Sequence, residues 1–353
     1  MSYQDGWKAI HLEMPERIPR FEPSADEYHW DLINAECGTE LSIEAPLSER
    51  LIGTKAFVEA WDYGIYLWSI IGGYEFIEKR TSMGHANYTQ NGSDYDDDIY
   101  CPWNDVDEVL AFDPYETYGP RDHTELVDRF DDDYRKQCEI LGDTVVTTGT
   151  YVTLMSGMID IFGWEMLLNA AATDPDRFGE VVNRYAKWIK QFYDAEADCM
   201  ADVIYSHDDL VWTQGPFIDP EWYRRYIFPN LEMLWDPLRN NGKKILFVCD
   251  GNYTSFLADI AACGNHGFWF ECFTDLDEVC ARFGRSHFII GNGDTRILTF
   301  GSRDAIRAEV ERCLRAGRDC PGFFMCMSGH IPPNVPVANA LYYNQLYFEL
   351  RNR

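Results

Sequence analysis

The chain has 353 residues, of which 46% are hydrophobic, so it is long enough for one large α/β barrel or for two ordinary domains. Its formal net charge of −29 at pH 7 excludes non-specific binding to nucleic acid or to an anionic membrane surface, because both of these partners are anions. The eleven cysteines have no C-x-x-C spacing, the N-terminus lacks the layout of a signal peptide, and no apolar stretch approaches the roughly 18 residues of a membrane span. These features predict a cytoplasmic protein with reduced thiols and no membrane partner.

The first part of the chain has the less regular pattern. Residues Arg17–Glu22 are a candidate first strand, and Thr144–Tyr151, rich in Val and Thr, is a good third strand. Between them, from about Thr81 to Asp133, lies an irregular acidic stretch centred on Asp94–Asp98. We expect this stretch to be a long acidic loop insertion. A metal site in the aspartate run is the alternative, but the run lacks the Gly and the distal Glu of a calcium-binding loop.

The second half alternates apolar runs with helical patterns at a steady pace, which is typical of parallel β/α units. Each run is nearly continuous in apolar residues, as in strands buried on both faces, and each ends in polar groups. The runs are Asp202–Asp209, Lys244–Asp250, Phe268–Glu271, His287–Gly291 and Gly322–Cys326. They predict strands four to eight of a single (β/α)8 TIM barrel domain over residues 1–353, with an N-terminal extension and an irregular insertion at about 81–133.

Helix boundaries support this reading of the second half. Asp174 before Pro175 is typical of a helix start, and the following apolar residues have helical spacing. Asp219 opens the next helix, which Asn241 and Gly242 end. Further helices are predicted from Tyr253 to Cys263 and from Ser302 to Ala316.

Polar residues at the predicted strand ends are the candidates for chemistry, because reacting groups of such barrels lie at the carboxyl ends of the strands. Asp208 and Asp209 are adjacent, so at most one of them points inward. Each candidate has a structural alternative: Asp250 and Asp294 could cap loops or helices, His330 could order a turn, and His207 could be a hydrogen-bonded core residue. The candidates are His207, Asp209, Trp212, Gln214, Asp250, Asn252, Glu271, Asp294, Arg296 and His330.

Four segments of the second half resemble one superfamily. Gln214-Gly-Pro216 with the polar pair before it resembles the fourth-strand signature, and Asp250-Gly-Asn252 resembles the end of the fifth strand. Residues 289–298 resemble the seventh strand with its loop, and the closing Pro332-Pro-Asn-Val-Pro336 resembles the end of the eighth. The chain is therefore similar to the uroporphyrinogen decarboxylase and corrinoid methyltransferase superfamily. The resemblance implies either a decarboxylase without cofactor or a methyltransferase that uses a corrinoid on a partner protein, in some members with zinc.

The departures from the family's patterns decide between these activities. Pro15–Glu22 lacks the arginine-containing block that grips substrate carboxylates in porphyrinogen decarboxylases, and no clear counterpart of their second-strand Asp occurs near Gly73–Glu78. The His-x-Cys and distant Cys of the thiol-type zinc site fall on Val248, Asp250 and Gly329, two of which cannot bind a metal. A corrinoid-linked methyltransferase acting on an aryl ether or a quaternary amine is therefore the leading hypothesis.

This hypothesis assigns roles that the resemblance implies. The predicted catalytic residues are His330, Asp250, Asp294 and His207. The predicted substrate-binding residues are Asp209, Gln214, Asn252, Arg296 and Trp212. The predicted metal ligands, for an ion such as zinc, are Asp250, Glu271, Asp294 and His330. The same carboxylates and His330 could instead serve a metal-free decarboxylase or lyase as acid and base, or belong to a barrel that binds a ligand without catalysis.

Overall fold

A computed structural model of the chain describes residues 2–23, 25–77, 79–83 and 100–353. The strands are β1 (Ile65–Tyr66), β2 (Val145–Val146), β3 (Thr148–Thr150), β4 (Val203–His207), β5 (Val211–Trp212), β6 (Gly215–Pro216), β7 (Lys244–Cys249), β8 (Gly267–Phe270), β9 (Phe288–Asp294) and β10 (Phe323–Ser328). Two 3₁₀ helices span Gly73–Phe76 and Thr254–Phe256. The α-helices are α1 (Ser2–Ile10), α2 (Ala25–Tyr28), α3 (Trp30–Cys37), α4 (Leu47–Ala60), α5 (Val106–Ala111), α6 (Pro114–Tyr118), α7 (His123–Leu141), α8 (Met155–Thr173), α9 (Pro175–Asp198), α10 (Pro220–Tyr226), α11 (Phe228–Asn240), α12 (Leu257–Cys263), α13 (Leu276–Phe283), α14 (Thr295–Phe300), α15 (Arg303–Gly317) and α16 (Val337–Leu350).

Parallel strands form the centre of the fold. Six of them lie side by side in the order β10-β9-β8-β7-β4-β3, and β1 pairs in parallel with β2, which is separated from β3 by Thr147 alone. Arg20 pairs in parallel with both Met325 of β10 and Tyr63, just before β1. Strand pairing thus continues from the last strand through Arg20 to the second strand, which fits a (β/α)8 barrel with its first strand within Arg17–Glu22, as predicted.

The second barrel strand lies earlier than the sequence comparison placed it. It is β1, whose two residues are buried, whereas the segment compared with the family's second strand contains the 3₁₀ helix Gly73–Phe76. An added Cβ atom at Gly73 would overlap the carboxylate of Asp160. A larger residue at this turn would therefore force the Asp160 side chain to move.

The prediction of an irregular loop insertion was wrong for its second half. Residues 106–133 belong largely to α5, α6 and the first part of α7. Three aspartates that suggested a loop are N-caps: Asp105, Asp113 and Asp122 accept backbone hydrogen bonds from Glu108, Tyr115 and Glu125 at 2.8–3.0 Å. The acidic side chains therefore begin helices whose apolar residues pack on the barrel. The run Asp94–Asp98 lies outside the described residues.

The predicted helices of the second half are confirmed. Asp174 caps α9, Ser302 caps α15, and Gly264 ends α12 in the left-handed conformation. The helix predicted after Asp219 is divided at Ile227 into α10 and α11. Strands β4, β8 and β10 are buried along their whole length, as expected for a parallel sheet covered by helices.

The predictions about thiols and membrane spans can also be compared with the structure. All eleven cysteines are free thiols. Within the described ranges, the helices lack the combination of length and apolarity that a membrane crossing needs.

Candidate active site at the carboxyl ends of the strands

A cavity of about 440 Å³ opens at the carboxyl ends of the barrel strands. Aromatic rings form much of its wall, and most of its charged groups are carboxyl groups. The aromatic lining residues are Phe21, Tyr66, Trp68, Tyr74, Tyr151, Tyr205 and Trp269. The charged or titratable lining residues are Asp26, Glu27, Arg80, Asp160, His207, Asp250 and His330.

Two neighbouring strands bring an imidazole and two carboxylates together at the edge of this cavity. His207 ends β4, Asp209 follows it by two residues, and Asp250 comes directly after β7, which pairs with β4. One nitrogen or oxygen atom from each of these three side chains lies within 4.8 Å of the others. We call these three residues the His207 cluster. Asp208, between them, turns away and accepts hydrogen bonds from the backbone of Leu154 and Ser156.

Contacts with Tyr151 fix the orientation of the His207 ring. Its Nδ1 lies 2.8 Å from the carbonyl oxygen of Tyr151, and its ring stacks on the Tyr151 ring with centroids 3.9 Å apart. A carbonyl group only accepts hydrogen bonds, so Nδ1 is the protonated nitrogen and Nε2 faces Asp209, 3.4 Å away. Ser156 orients Asp209 by accepting a hydrogen bond from the Asp209 backbone at 2.7 Å and donating one to Asp209 Oδ2 at 3.2 Å.

Charge interactions separate the protonation states of the three groups. Burial lowers the pKa of His207, but Asp209 and Asp250 together raise it to about 9. Burial disfavours ionisation of Asp209, yet the charge of His207 holds the pKa of this carboxyl below its usual value. Burial, Asp209 and Glu271 raise the pKa of Asp250 well above its usual value. Near neutral pH the cluster thus contains an imidazolium, a carboxylate and a carboxylic acid, which are the components of acid–base catalysis.

A second pair of carboxyl groups lines another part of the cavity. The Tyr66 hydroxyl donates to Asp26 Oδ2 at 2.8 Å and lies 3.3 Å from Glu27 Oε1. Burial and the charge of Glu27 raise the pKa of Asp26 to about 8. Asp160, on α8, also lines the cavity, and burial raises its pKa to about 7 against the opposing charge of Arg80.

Asp26, Glu27 and Asp160 were not among the site residues predicted from the sequence. The first two follow the first barrel strand as Asp250 follows β7, so a list of the polar residues after that strand would have found them. Asp160 lies within a helix and carries no comparable signal in the sequence.

Three of the predicted site residues lie in the cavity wall. His207, Asp250 and His330 line it, and Asp209 is within the His207 cluster. His330 has a φ of 122°, a conformation that is strained for a residue with a side chain and is commonest at functional sites.

The predicted metal set of Asp250, Glu271, Asp294 and His330 is not brought together. Among the described residues, the group of three potential ligands that converges is the His207 cluster, which shares only Asp250 with that set. Asp294 caps α14 and forms an ion pair with Arg296 at 2.7 Å. Glu271 accepts the backbone N–H of Gly251 at 3.0 Å and so holds the turn that carries Asp250. Both carboxylates are thus engaged in local structure.

The other predicted substrate-binding residues lie away from the described cavity wall. Asn252 Oδ1 accepts a backbone hydrogen bond from Thr254 within its own turn. Trp212 and Gln214 belong to the β5–β6 hairpin, where Trp212 is 48% exposed. Arg296 is held by Asp294.

Comparison with known proteins gives the family. The family model described as uroporphyrinogen decarboxylase (URO-D) matches residues 102–345, more than half of the chain. Uroporphyrinogen decarboxylases of Carboxydothermus hydrogenoformans and Pelobacter propionicus are 24% and 23% identical to the chain, over 50% and 56% of its length. The chain spans about half the length of these curated relatives, 49% and 56%.

A solved structure of a methyltransferase from Methanosarcina mazei shares the fold. The similarity has a TM-score of 0.70 and covers 99% of this chain and 98% of the other, at 14% sequence identity. The family model matches more than half of the chain, and the parallel strands with polar groups at their carboxyl ends agree with it. The chain therefore belongs to the uroporphyrinogen decarboxylase family.

Proposed function

We propose that this protein is a methyltransferase that moves a methyl group between a small methylated donor and a corrinoid carried by a partner protein. The observation that carries the proposal is the shortage of cationic groups in the cavity wall. Arg80 is the one arginine or lysine among its described lining residues, which also include Asp26, Glu27, Asp160 and Asp250. Such a wall gives a substrate that bears several carboxylates, as a porphyrinogen does, few cations to pair with.

The arginines near the N-terminus do not change this charge balance. Arg17 forms an ion pair with Asp5, 2.5 Å away. Arg20 is buried, donates to the carbonyl oxygen of Trp61 and stacks over the rings of Trp61 and Tyr347 at 4.6 and 4.2 Å. Both guanidinium groups therefore serve the fold and lie apart from the described cavity wall, which argues against uroporphyrinogen as the substrate.

The cavity suits a small aromatic or cationic methyl donor. Rings of Tyr66, Trp68, Tyr151 and Trp269 offer faces on which an aryl methyl ether could stack or a quaternary ammonium group could rest. The surrounding carboxyl groups favour a cation further. Both donor classes fit a cavity of about 440 Å³, which lies in the size range of small-molecule sites.

The acid–base groups have a defined task in this reaction. A reduced corrinoid supplies the nucleophile that accepts the methyl group, so the electron pair of the broken bond remains on the donor's heteroatom. Asp250, held protonated by burial and by its carboxylate neighbours, is placed to give its proton to an oxygen leaving group. His207, paired with Asp209, keeps a positive charge beside the developing phenolate.

A second candidate is a metal-free decarboxylase acting on a small acid. It is favoured by the curated relatives, which are named as decarboxylases, and by Asp26, whose raised pKa makes it a proton donor near neutral pH. This reading predicts release of CO2 without a corrinoid, and it leaves the acidic wall unexplained.

A donor panel separates the two functions. The protein is mixed with cob(I)alamin and, in turn, anisole, guaiacol, choline and tetramethylammonium, and loss of the cob(I)alamin absorption is followed. Methyl transfer from at least one donor is the expected result, and transfer from an ether should be slowed strongly by Asp250→Asn, because only the ether's leaving oxygen needs a proton. No transfer from any donor, with CO2 released from a panel of small aromatic acids, would replace the proposal by the decarboxylase. No activity in either panel, with donor binding retained, would indicate a barrel that binds without catalysis.

A further inference from the structure

We infer that the His207 cluster is a binding site for one divalent transition-metal ion of the zinc type. The inference deepens the proposed function, on whose cavity it rests, by giving the site a Lewis acid for the donor's leaving atom. It concerns different residues from the set that the sequence pattern suggested, since His207 and Asp209 replace Glu271, Asp294 and His330.

The spacing of the three side chains suits a small cation. With bonds of about 2.0–2.2 Å, two neighbouring ligand atoms of a tetrahedral zinc ion lie about 3.4 Å apart. His207 Nε2 and Asp209 Oδ1 are separated by 3.4 Å, and one ligand atom of Asp250 lies within 4.8 Å of both. Modest side-chain movement of Asp250 would complete the set.

A second observation concerns the hydrogen bonding at this position. Asp209 Oδ1 is buried and accepts no hydrogen bond from any described residue, and its contact with His207 Nε2 at 3.4 Å is an ion pair only. A buried oxygen of this kind is costly unless something binds it. Asp209 Oδ2, by contrast, is satisfied by the hydroxyl of Ser156. The atom left without a donor is the one that faces the other two ligands.

The surroundings of the cluster also resemble those of a metal site. The Tyr151 carbonyl accepts from Nδ1 of His207, so that Nε2, once its proton is displaced by a metal ion, would direct its lone pair toward the two aspartates, as for a histidine ligand in a metalloprotein. Ser156 orients Asp209, and Glu271 fixes the turn of Asp250 through the Gly251 backbone. Each ligand therefore has a group behind it that sets its direction.

The composition of the set indicates the type of ion and its role. One imidazole and two carboxylates, without a thiolate, suit zinc, manganese, iron(II) or cobalt(II) better than a soft ion. Because Asp250 lines the cavity, the remaining coordination positions face the space where the donor would bind. Three protein ligands with an open position are characteristic of catalytic zinc. In the loaded protein a bound metal would take over the stabilisation that Asp250 otherwise supplies by its proton.

Metal binding can be measured independently of methyl transfer. The full chain is stripped with chelator and titrated with Zn²⁺ by calorimetry, and the Co²⁺ form is examined by visible absorption for the bands of a low-symmetry nitrogen and oxygen site. We expect one equivalent of metal. Asp250→Asn and His207→Gln should each weaken Zn²⁺ binding by at least about 100-fold.

Asp294→Asn is the matched control, because it changes a carboxylate of the sequence-predicted set that lies outside the cluster. It should leave Zn²⁺ affinity unchanged. Circular dichroism of each variant separates lost binding from lost folding, and the near-isosteric Asp250→Asn keeps the test valid if His207→Gln fails to fold. Two results would overturn the inference. One is that the wild-type protein binds none of Zn²⁺, Mn²⁺, Fe²⁺ and Co²⁺. The other is that metal binding is lost in Asp294→Asn and kept in Asp250→Asn. Metal binding without methyl transfer would leave it standing and refute only the proposed function.

Discussion

Glu196 is a buried carboxyl group that contacts β3, the strand that precedes Tyr151, and its titration allows a quantitative test of the barrel's electrostatics. It lies on α9, its Oε1 accepts the hydroxyl of Thr150 on β3 at 2.7 Å, and its Oε2 has no hydrogen-bond partner among the described residues. Burial raises its pKa from 4.5 to about 8. The folded protein therefore holds a proton on Glu196 that the unfolded chain releases above pH 4.5.

The sign and size of the pH effect follow from this difference. A pKa raised on folding gives stability that is complete below about pH 4.5 and is lost as the pH rises toward 8. At 1.36 kcal/mol for each pH unit, the loss between pH 4 and pH 7 is about 3 kcal/mol. Glu196→Gln replaces the protonated acid by an amide of the same shape that does not titrate. The difference in the free energy of unfolding between the variant and the wild type should therefore shift in favour of the variant by about 3 kcal/mol between pH 4 and pH 7.

Urea unfolding at several pH values between 4 and 8 measures this difference. Glu180→Gln, an exposed substitution on the same helix, is the control and should run parallel to the wild type. The amide of Glu196→Gln leaves a buried N–H group unpaired at every pH, which lowers the variant's stability by a constant amount. The test is therefore how the difference in unfolding free energy changes with pH, because its absolute value includes this constant cost. Parallel curves for Glu196→Gln and wild type would refute the reasoning.

Three further predictions concern the cavity. Ser156→Ala removes the hydroxyl that orients Asp209. Its Zn²⁺ affinity, measured by calorimetry, should fall by about 10- to 100-fold, and its free energy of unfolding in urea should fall by about 1–3 kcal/mol. Unchanged Zn²⁺ affinity would show that Ser156 does not position the ligand. Gly73→Ala places a methyl group on the Asp160 carboxylate, so donor binding followed by Trp fluorescence should weaken strongly, whereas retained binding would show that this turn does not shape the cavity. Because Asp160 ionises near pH 7, affinity for tetramethylammonium should rise about fourfold from pH 6 to pH 8 while that for anisole stays constant. Asp160→Asn should reduce the rise to the part that Asp26, whose pKa is about 8, contributes. A rise of unchanged size in Asp160→Asn would assign it to another group.

Sequence reasoning located the second half of the barrel well because its strands are long enough to leave a pattern. Strands β4, β7, β9 and β10 have five to seven residues each, and their apolar runs end in turn and polar residues. The barrel's second strand has two residues in regular pairing, which is too short for any periodicity. The helices of residues 106–141 were missed because their aspartate caps and charged solvent faces resemble a loop in composition.

The candidate site was found in part for a related reason. The predicted rim at the strand ends included His207, Asp209 and Asp250, which the structure brings together. Which of the carboxylates are free to bind a ligand depends on which of them are already engaged in local contacts. Asp294 is held by Arg296 and Glu271 by a backbone N–H, and both contacts depend on geometry that spacing does not reveal. The structural alternative for His207 is also partly correct, since Tyr151 binds one nitrogen of its ring while the other faces the cluster.

The central claim is methyl transfer from a small donor bound in the acidic, aromatic cavity, and transfer of an isotopic label tests it most directly. The protein is incubated with cob(I)alamin and a donor carrying a labelled methyl group, taken from the ether or ammonium class that binds, and the corrinoid is isolated and examined by mass spectrometry. The account predicts the labelled methyl group on the corrinoid and the demethylated donor in equal amount, and for an ether donor both should be strongly reduced in Asp250→Asn. Label that stays on a bound donor, or that reaches the corrinoid from an ether equally fast with Asp250→Asn, would contradict it.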